Sequence, residues 1–133
     1  MSENQALREI CYRIRRWGLY KNESDIGFLN FEHEDGRMFG VIEYKKEDAP
    51  VQYASHPTYR AIIDLGNRAG LPVIVCRYSE DYSRYAAMPL NAEARKIIPN
   101  RTEYDEAGWV KELYRMRGQE VPEEVLSGME VEI

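Results

Sequence analysis

Apolar residues recur along this chain at two spacings, and the changes between them divide it into helices and strands. Leu7, Ile10, Cys11, Ile14 and Trp17 follow a helical period, so residues 5–17 are predicted as an amphipathic helix that stops at Gly18. Glu9, Arg13 and Arg16 share a flanking stripe of it. Residues 25–32 and 38–46 read as two strands about Glu34-Asp35-Gly36, a strong turn signal. Leu29, Phe31, Phe39 and Val41 fall on one face of this hairpin, and Ile26, Phe28, Ile42 and Tyr44 on the other. A sheet apolar on both faces is expected to be covered on both. Residues 57–69 form a second helix, with Pro57 in its first turn. Tyr59, Ile62, Ile63 and Gly66 make its inner stripe, and Arg60, Asp64, Asn67 and Arg68 its outer one. Gly70 ends it, and residues 71–76 read as a buried strand, which implies a right-handed parallel crossover. Ser79-Glu80-Asp81 turns the chain into a partner strand at 85–90, and Asn91 caps a short helix to Ile98. Thr102 and Asp105 resemble a capping box, opening a helix to about Arg117 that buries Trp109, Val110, Leu113 and Tyr114. The pattern predicts an α/β domain over residues 1–118, with a mixed sheet flanked by helices in the order α-β-β-α-β-β-α. A tail, residues 119–133, follows with one helical turn at 122–127.

The hairpin carries the candidate chemistry. Asp25 opens the first strand, and Val41-Ile42-Glu43-Tyr44-Lys45 lies in the second. Two loop lengths are open at the turn. A two-residue loop, Asp35-Gly36, pairs Lys45 with Ile26 and leaves Asp25 on the opposite face. A three-residue loop with Gly36 left-handed pairs Asp25 with Lys45 and Gly27 with Glu43, so that the three polar groups share a face. The second register is favoured because it gathers charges that would otherwise be scattered through an apolar sheet. Gly27 then leaves room opposite Glu43 for an ion or a phosphate. Two carboxylates can hold a hard cation through oxygen ligands. Such a metal polarises a phosphate and generates hydroxide near neutral pH, and a neighbouring lysine steadies the developing charge.

Composition narrows the setting. The chain has 133 residues, enough for one domain with its own core. With 44% hydrophobic and 31% charged residues it reads as a globular protein. No run reaches the roughly 18 apolar residues of a membrane span, and Met1-Ser2-Glu3-Asn4-Gln5 lacks the pattern of a signal peptide. Cys11 and Cys76 read as reduced core thiols, which points to the cytoplasm. His33 and His56 lack zinc-ligand spacing. The net charge of −5 argues against nucleic acid, but its distribution qualifies that. Glu120, Glu123, Glu124, Glu130 and Glu132 follow the last basic residue, Arg117, and account for the whole excess. Arg8, Arg13, Arg15, Arg16 and Lys21 leave room for a locally positive face near the amino terminus.

Helix, hairpin, crossover helix and strand, with Asp25 and then Glu43-Tyr44-Lys45, resemble the PD-(D/E)xK nuclease superfamily over roughly residues 5–90. The run through His56-Pro57-Thr58-Tyr59-Arg60 and Arg77-Tyr78 to Met88-Pro89-Leu90-Asn91 is similar to small phage and prophage proteins of this type. The resemblance implies a restriction-endonuclease-like fold and a Mg²⁺- or Mn²⁺-dependent nuclease acting on DNA. It implies Asp25 and Glu43 as metal ligands, Lys45 as the residue that orients or activates water, and the Tyr44 backbone carbonyl as a further ligand. Glu9 would match the acid that some members supply from the first helix. The scissile phosphate would sit over Gly27, with His56 and Arg60 as substrate contacts, and the product would carry a 5′-phosphate. A homodimer would suit two cuts on a duplex or junction. The chain departs from the pattern in carrying Ser24 where a proline precedes the acid. Only residues 18–22 could supply the usual preceding strand, and no Gln-x-x-x-Tyr follows on the crossover helix.

Each residue also has a plainer reading. Glu9 can pair with Arg13, and Arg60 with Asp64, one helical turn apart. His56 can serve the helix entrance, and Tyr59 the core. Lys45 can be the structural partner of Glu43, whose carboxylate is costly to bury alone. These readings compose the alternative: a catalytically inactive binding or regulatory module on the same fold, with the acidic tail engaging a protein partner.

Overall fold

The computed structural model describes residues 9, 10, 12–14, 16, 17 and 29–129. The described residues of helix α1 are 9, 10, 12–14 and 16. Strands β1 (Leu29–Glu34) and β2 (Arg37–Lys46) follow, then α2 (Pro57–Ala69), β3 (Val73–Tyr78), β4 (Tyr85–Pro89), α3 (Ala92–Arg95), β5 (Thr102–Tyr104), α4 (Glu106–Met116) and α5 (Glu123–Ser127). The strands make one five-stranded sheet in the order β1-β2-β3-β4-β5. Only β2 and β3 run parallel, across the crossover through α2; the other pairs are antiparallel. The fold is therefore mixed α/β with a mostly antiparallel sheet.

Alternation along the central strands assigns the two faces. Ile42 and Tyr44, Ile74, Cys76 and Tyr78, and Tyr85 and Ala87 form the main core with Ile10, Ile14 and Trp17 of α1 and Trp109, Val110 and Leu113 of α4. The described members of the first stripe, Ile10, Ile14 and Trp17, and the stripe of α4 thus bury as expected. The opposite face carries Val41, Glu43 and Lys45 beside Val73, Val75 and Arg77, and is covered by α2. Gly66 is what lets α2 approach: a Cβ there would collide with the Val73 side chain and crowd the Leu71 carbonyl.

The hairpin register differs from both sequence alternatives. Asp35 and Gly36 take φ of 50° and 77°, the pattern of a two-residue type I′ turn. Glu34 pairs with Arg37 and His33 with Met38, but Glu32 pairs with Gly40, so Phe39 is an extra residue in β2. Beyond this bulge Leu29, not Gly27, lies opposite Glu43.

The core-facing side of β1 is also not apolar. Asn30 and Glu32 are buried there, while Leu29 and Phe31 are half-buried on the other side. Arg117, just past α4, completes this polar patch with Nη2 2.6 Å from Glu32 Oε2.

Two expectations near the carboxyl end change. Residues 102–104 are not the start of a helix but a short edge strand on β4. The cap belongs to Asp105, whose carboxylate accepts from the Gly108 amide at 2.7 Å. The described part of the tail lies against the domain, with Val121, Val125 and Met129 packed on the core.

Candidate functional site

Glu43 is the polar centre of the α2-covered face. Its position in β2 sets its side chain between those of Val41 and Lys45, beside Val75 of β3. Tyr59, one turn into α2, is buried against this face and its hydroxyl donates to Glu43 Oε1 at 2.5 Å. Lys45 Nζ lies 3.4 Å from the same oxygen and 5.4 Å from the centre of the Tyr59 ring. The carboxylate therefore receives a phenol and an ammonium on one oxygen, with only 13% of its side chain exposed. Burial pulls the Lys45 ammonium down, but the hydroxyl of Tyr59 and the charge of Glu43 outweigh it, and the net shift is upward. Burial, and then the bond to Glu43, raise the Tyr59 phenol above its ordinary value. Near neutral pH the cluster is thus a charged lysine and a protonated tyrosine on one acid.

The other sequence-predicted residues are placed as follows. Asp25 and Gly27 lie outside the described residues. Glu9 is exposed on α1 and accepts from the Tyr82 hydroxyl at 3.2 Å; it is not brought to Glu43. Tyr44 turns its side chain to the main core, where its hydroxyl accepts from Trp109 Nε1 at 3.2 Å, and it lies opposite Cys76 in the parallel ladder. His56 is the cap of α2, its Nδ1 accepting from the Thr58 amide at 3.3 Å, as the plainer reading had it. Arg60 is exposed on α2, and Asp64 is held by Arg68 instead, at 2.9 Å. The structure therefore joins Glu43 with Lys45, and adds Tyr59, which the sequence offered only as core. The one signal for it was a tyrosine, rather than an aliphatic residue, on the inner stripe of the crossover helix.

Tyr59 also forms one wall of a cleft of about 470 Å³ on the same face. Its floor is Val75 of β3 with Ala86 and Met88 of β4, and the loop between β2 and α2 borders it with Val51 and Tyr53. Arg77 fastens that loop, donating to the carbonyls of Ala49 at 2.8 Å and Pro50 at 3.2 Å.

A divalent cation of the magnesium type needs about six oxygen ligands, usually including one or two carboxylates. Among the described residues no group of three or more histidine, cysteine or acidic side chains converges to hold a metal. Glu43 alone supplies one carboxylate, with one oxygen engaged by Tyr59 and Lys45. These residues by themselves do not build a cation site.

Comparison with protein-family models, with curated proteins and with solved structures gives no match. Among the described residues no helix is long and apolar enough to cross a membrane.

Proposed function

We propose that the chain is a metal-dependent nuclease that hydrolyses phosphodiester bonds, of DNA in preference to RNA, on a restriction-endonuclease-like fold. The observation that carries the reading is the pairing of Glu43 with Lys45 on one face of β2, beside a cleft bordered by arginines. The β1-β2-α2-β3 run, with β2 and β3 parallel, is the frame that this reading requires. Mg²⁺ or Mn²⁺, held by Asp25 and Glu43, would supply the Lewis acid and the hydroxide. Lys45 would steady the charge that builds on the phosphate oxygens. Tyr59 would hold the Glu43 carboxylate in one orientation. DNA as partner, a homodimer for paired cuts, and the bacterial or phage-infected cytoplasm belong to the same proposal.

The test is cleavage of labelled branched, duplex and single-stranded DNA with Mg²⁺, with Mn²⁺ and with chelator, beside Glu43→Gln and Asp25→Asn. Metal-dependent cutting that both substitutions abolish, with unchanged thermal melting, supports the nuclease. Absence of cutting from folded protein under every metal overturns it.

The arrangement of Glu43 also favours a second reading, the binding or regulatory module without catalysis. Tyr59 and Lys45 already satisfy one oxygen of the acid, as a structural carboxylate requires. On that reading Glu43→Ala strips the partner from Lys45 and costs about 1–3 kcal/mol of stability, and partner binding needs no metal.

A further inference from the structure

We infer that the cleft beside Glu43 and Lys45 seats one unpaired nucleotide, so that the strand this protein takes is single-stranded at the point of contact. The inference deepens the nuclease reading by naming its substrate class, and rests on that reading for the link between this cleft and the chemistry.

The first observation is where the apolar surface is exposed. Of the five large hydrophobic side chains that the described residues leave exposed, three border this cleft: Val51 at 75%, Tyr53 at 78% and Met88 at 46%. Clustered apolar surface marks a binding site more often than scattered residues do. The volume falls in the range of small-ligand sites. Its floor is strand surface, and Tyr53 and Tyr59 are both in its lining.

The second observation is charge. Arg77 directs its guanidinium to backbone carbonyls and has no acidic partner among the described residues. Arg101, also in the lining, is exposed and has no acidic partner among the described residues. The acid in the lining, Glu47, pairs with Arg84 at 3.1 Å, and Arg84 is shared with Glu103 at 3.9 Å. Among the described residues, two guanidinium groups without an acidic partner thus border an aromatic, apolar recess. That is the complement of a flat apolar base on an anionic backbone. Strand-binding surfaces combine cationic grooves with stacking side chains in this way. A base in a duplex has both faces covered by its neighbours and cannot offer one to Tyr53.

The third observation is continuity. The ladder sets Glu43 beside Val75 and Val75 beside Met88, so the acid and the cleft floor lie in one row across three strands. Lys45, Arg77 and Ala86 make the next row on the same face. Tyr59 belongs to both places, its ring in the cleft wall and its hydroxyl on Glu43. A base held in the cleft places its own phosphates beside Lys45.

The test is fluorescence anisotropy of a labelled oligothymidylate, and of a duplex of matching length, with the full chain in chelator. The single strand is expected to bind at least about tenfold more tightly than the duplex. Tyr53→Ala is expected to weaken it roughly tenfold, as for loss of one stacked base, and Tyr53→Phe to retain it. Arg101→Gln is expected to weaken binding and lower the salt slope by about one. Tyr53 is exposed, and unchanged melting of each variant isolates binding from folding. Equal affinity for duplex and single strand, or a Tyr53→Ala variant that binds as well as the parent, overturns the inference. The two proposals fail separately. Tyr53-dependent strand binding without cutting in any metal removes the nuclease and keeps the cleft. Metal-dependent cutting with no strand preference and no effect of Tyr53→Ala keeps the nuclease and removes the cleft.

Discussion

Arg117 and Glu32 meet at 2.6 Å across 85 residues of sequence, and each side chain is only 2% exposed. Asn30 donates to the other carboxylate oxygen at 3.0 Å, and Arg117 Nη1 donates to the Leu113 carbonyl at 2.9 Å. The pair fastens the end of α4 to β1. Arg117→Ala leaves a buried carboxylate without its cation and is expected to cost about 3–5 kcal/mol. A double replacement, Glu32→Leu with Arg117→Met, is expected to recover most of that loss, because no buried charge remains. Urea unfolding of the two variants beside the parent measures both values.

The contact between Tyr59 and Glu43 predicts a stability effect under either functional reading. Tyr59→Phe keeps the ring against Lys45 but removes the donor to a charged acceptor. The expected loss is roughly 1.5–3 kcal/mol, the worth of a hydrogen bond to a charged group. Chemical denaturation measures it. For a nuclease, the same variant should lower turnover more than it alters substrate affinity, since the hydroxyl orients Glu43 and is not placed as a substrate contact.

Alkaline pH should unfold this protein through its tyrosines. Burial pushes the Tyr44 and Tyr85 phenols well above their ordinary value of 10.0. Burial likewise raises Tyr59 and Tyr114. A raised phenol pKa in the folded state favours the neutral form there. Stability is therefore unaffected below about pH 10, and falls as pH rises from the unfolded value toward the folded ones. Absorbance of tyrosinate and far-ultraviolet circular dichroism, followed together above pH 10, should change in one cooperative step for the buried residues.

Gly66→Ala tests the approach of α2 to the sheet. Alanine is the better helix former by about 1 kcal/mol. Its methyl would nevertheless meet the Val73 side chain and the Leu71 carbonyl. Overpacking of this kind costs about 1–3 kcal/mol, so a net loss of stability is expected. Val73→Ala in the same chain should relieve part of it, and thermal melting of the single and double variants measures the relief.

Much of the frame was legible because it rests on local signals. Pro57 and Gly70 bracket α2, and Asn91 caps α3 through its side chain to the Ala94 amide; the turn at Glu34-Asp35-Gly36 was legible as a turn, but the favoured three-residue loop gives way to the two-residue Asp35-Gly36 one. The α4 stripe and the described residues of the first stripe, Ile10, Ile14 and Trp17, bury as their spacing requires. What escaped depends on contacts without a local code. The bulge at Phe39 moves the register of β1, and Gly40 beside it, a lone glycine inside a strand, is its one local mark. Strand β5 is three residues long and forms only because β4 offers it an edge. Asn30 and Glu32 break the apolar pattern of β1, and their reason, Arg117, lies far away in sequence. Glu43 and Lys45 were legible as a pair because they share a face of one strand. Tyr59 joins them only through the packing of α2 on β2.

The extra residue at Phe39 has a consequence for what sequence change this hairpin tolerates. Side chains on a strand alternate, so the orientation of everything beyond the bulge depends on whether the residue count from turn to site is odd or even. Asp35-Gly36 and Phe39 together fix that count, and with it the side of the sheet on which Glu43 and Lys45 emerge. Loss of one residue between Met38 and Val41, with the turn kept, would exchange the two sides. The carboxylate and the ammonium would then be driven toward Trp109 and Ile74, while Ile42 and Tyr44 turned out beneath α2. Insertions or deletions here are therefore expected to occur in pairs, as changes of two residues slide the site along its face without turning it over.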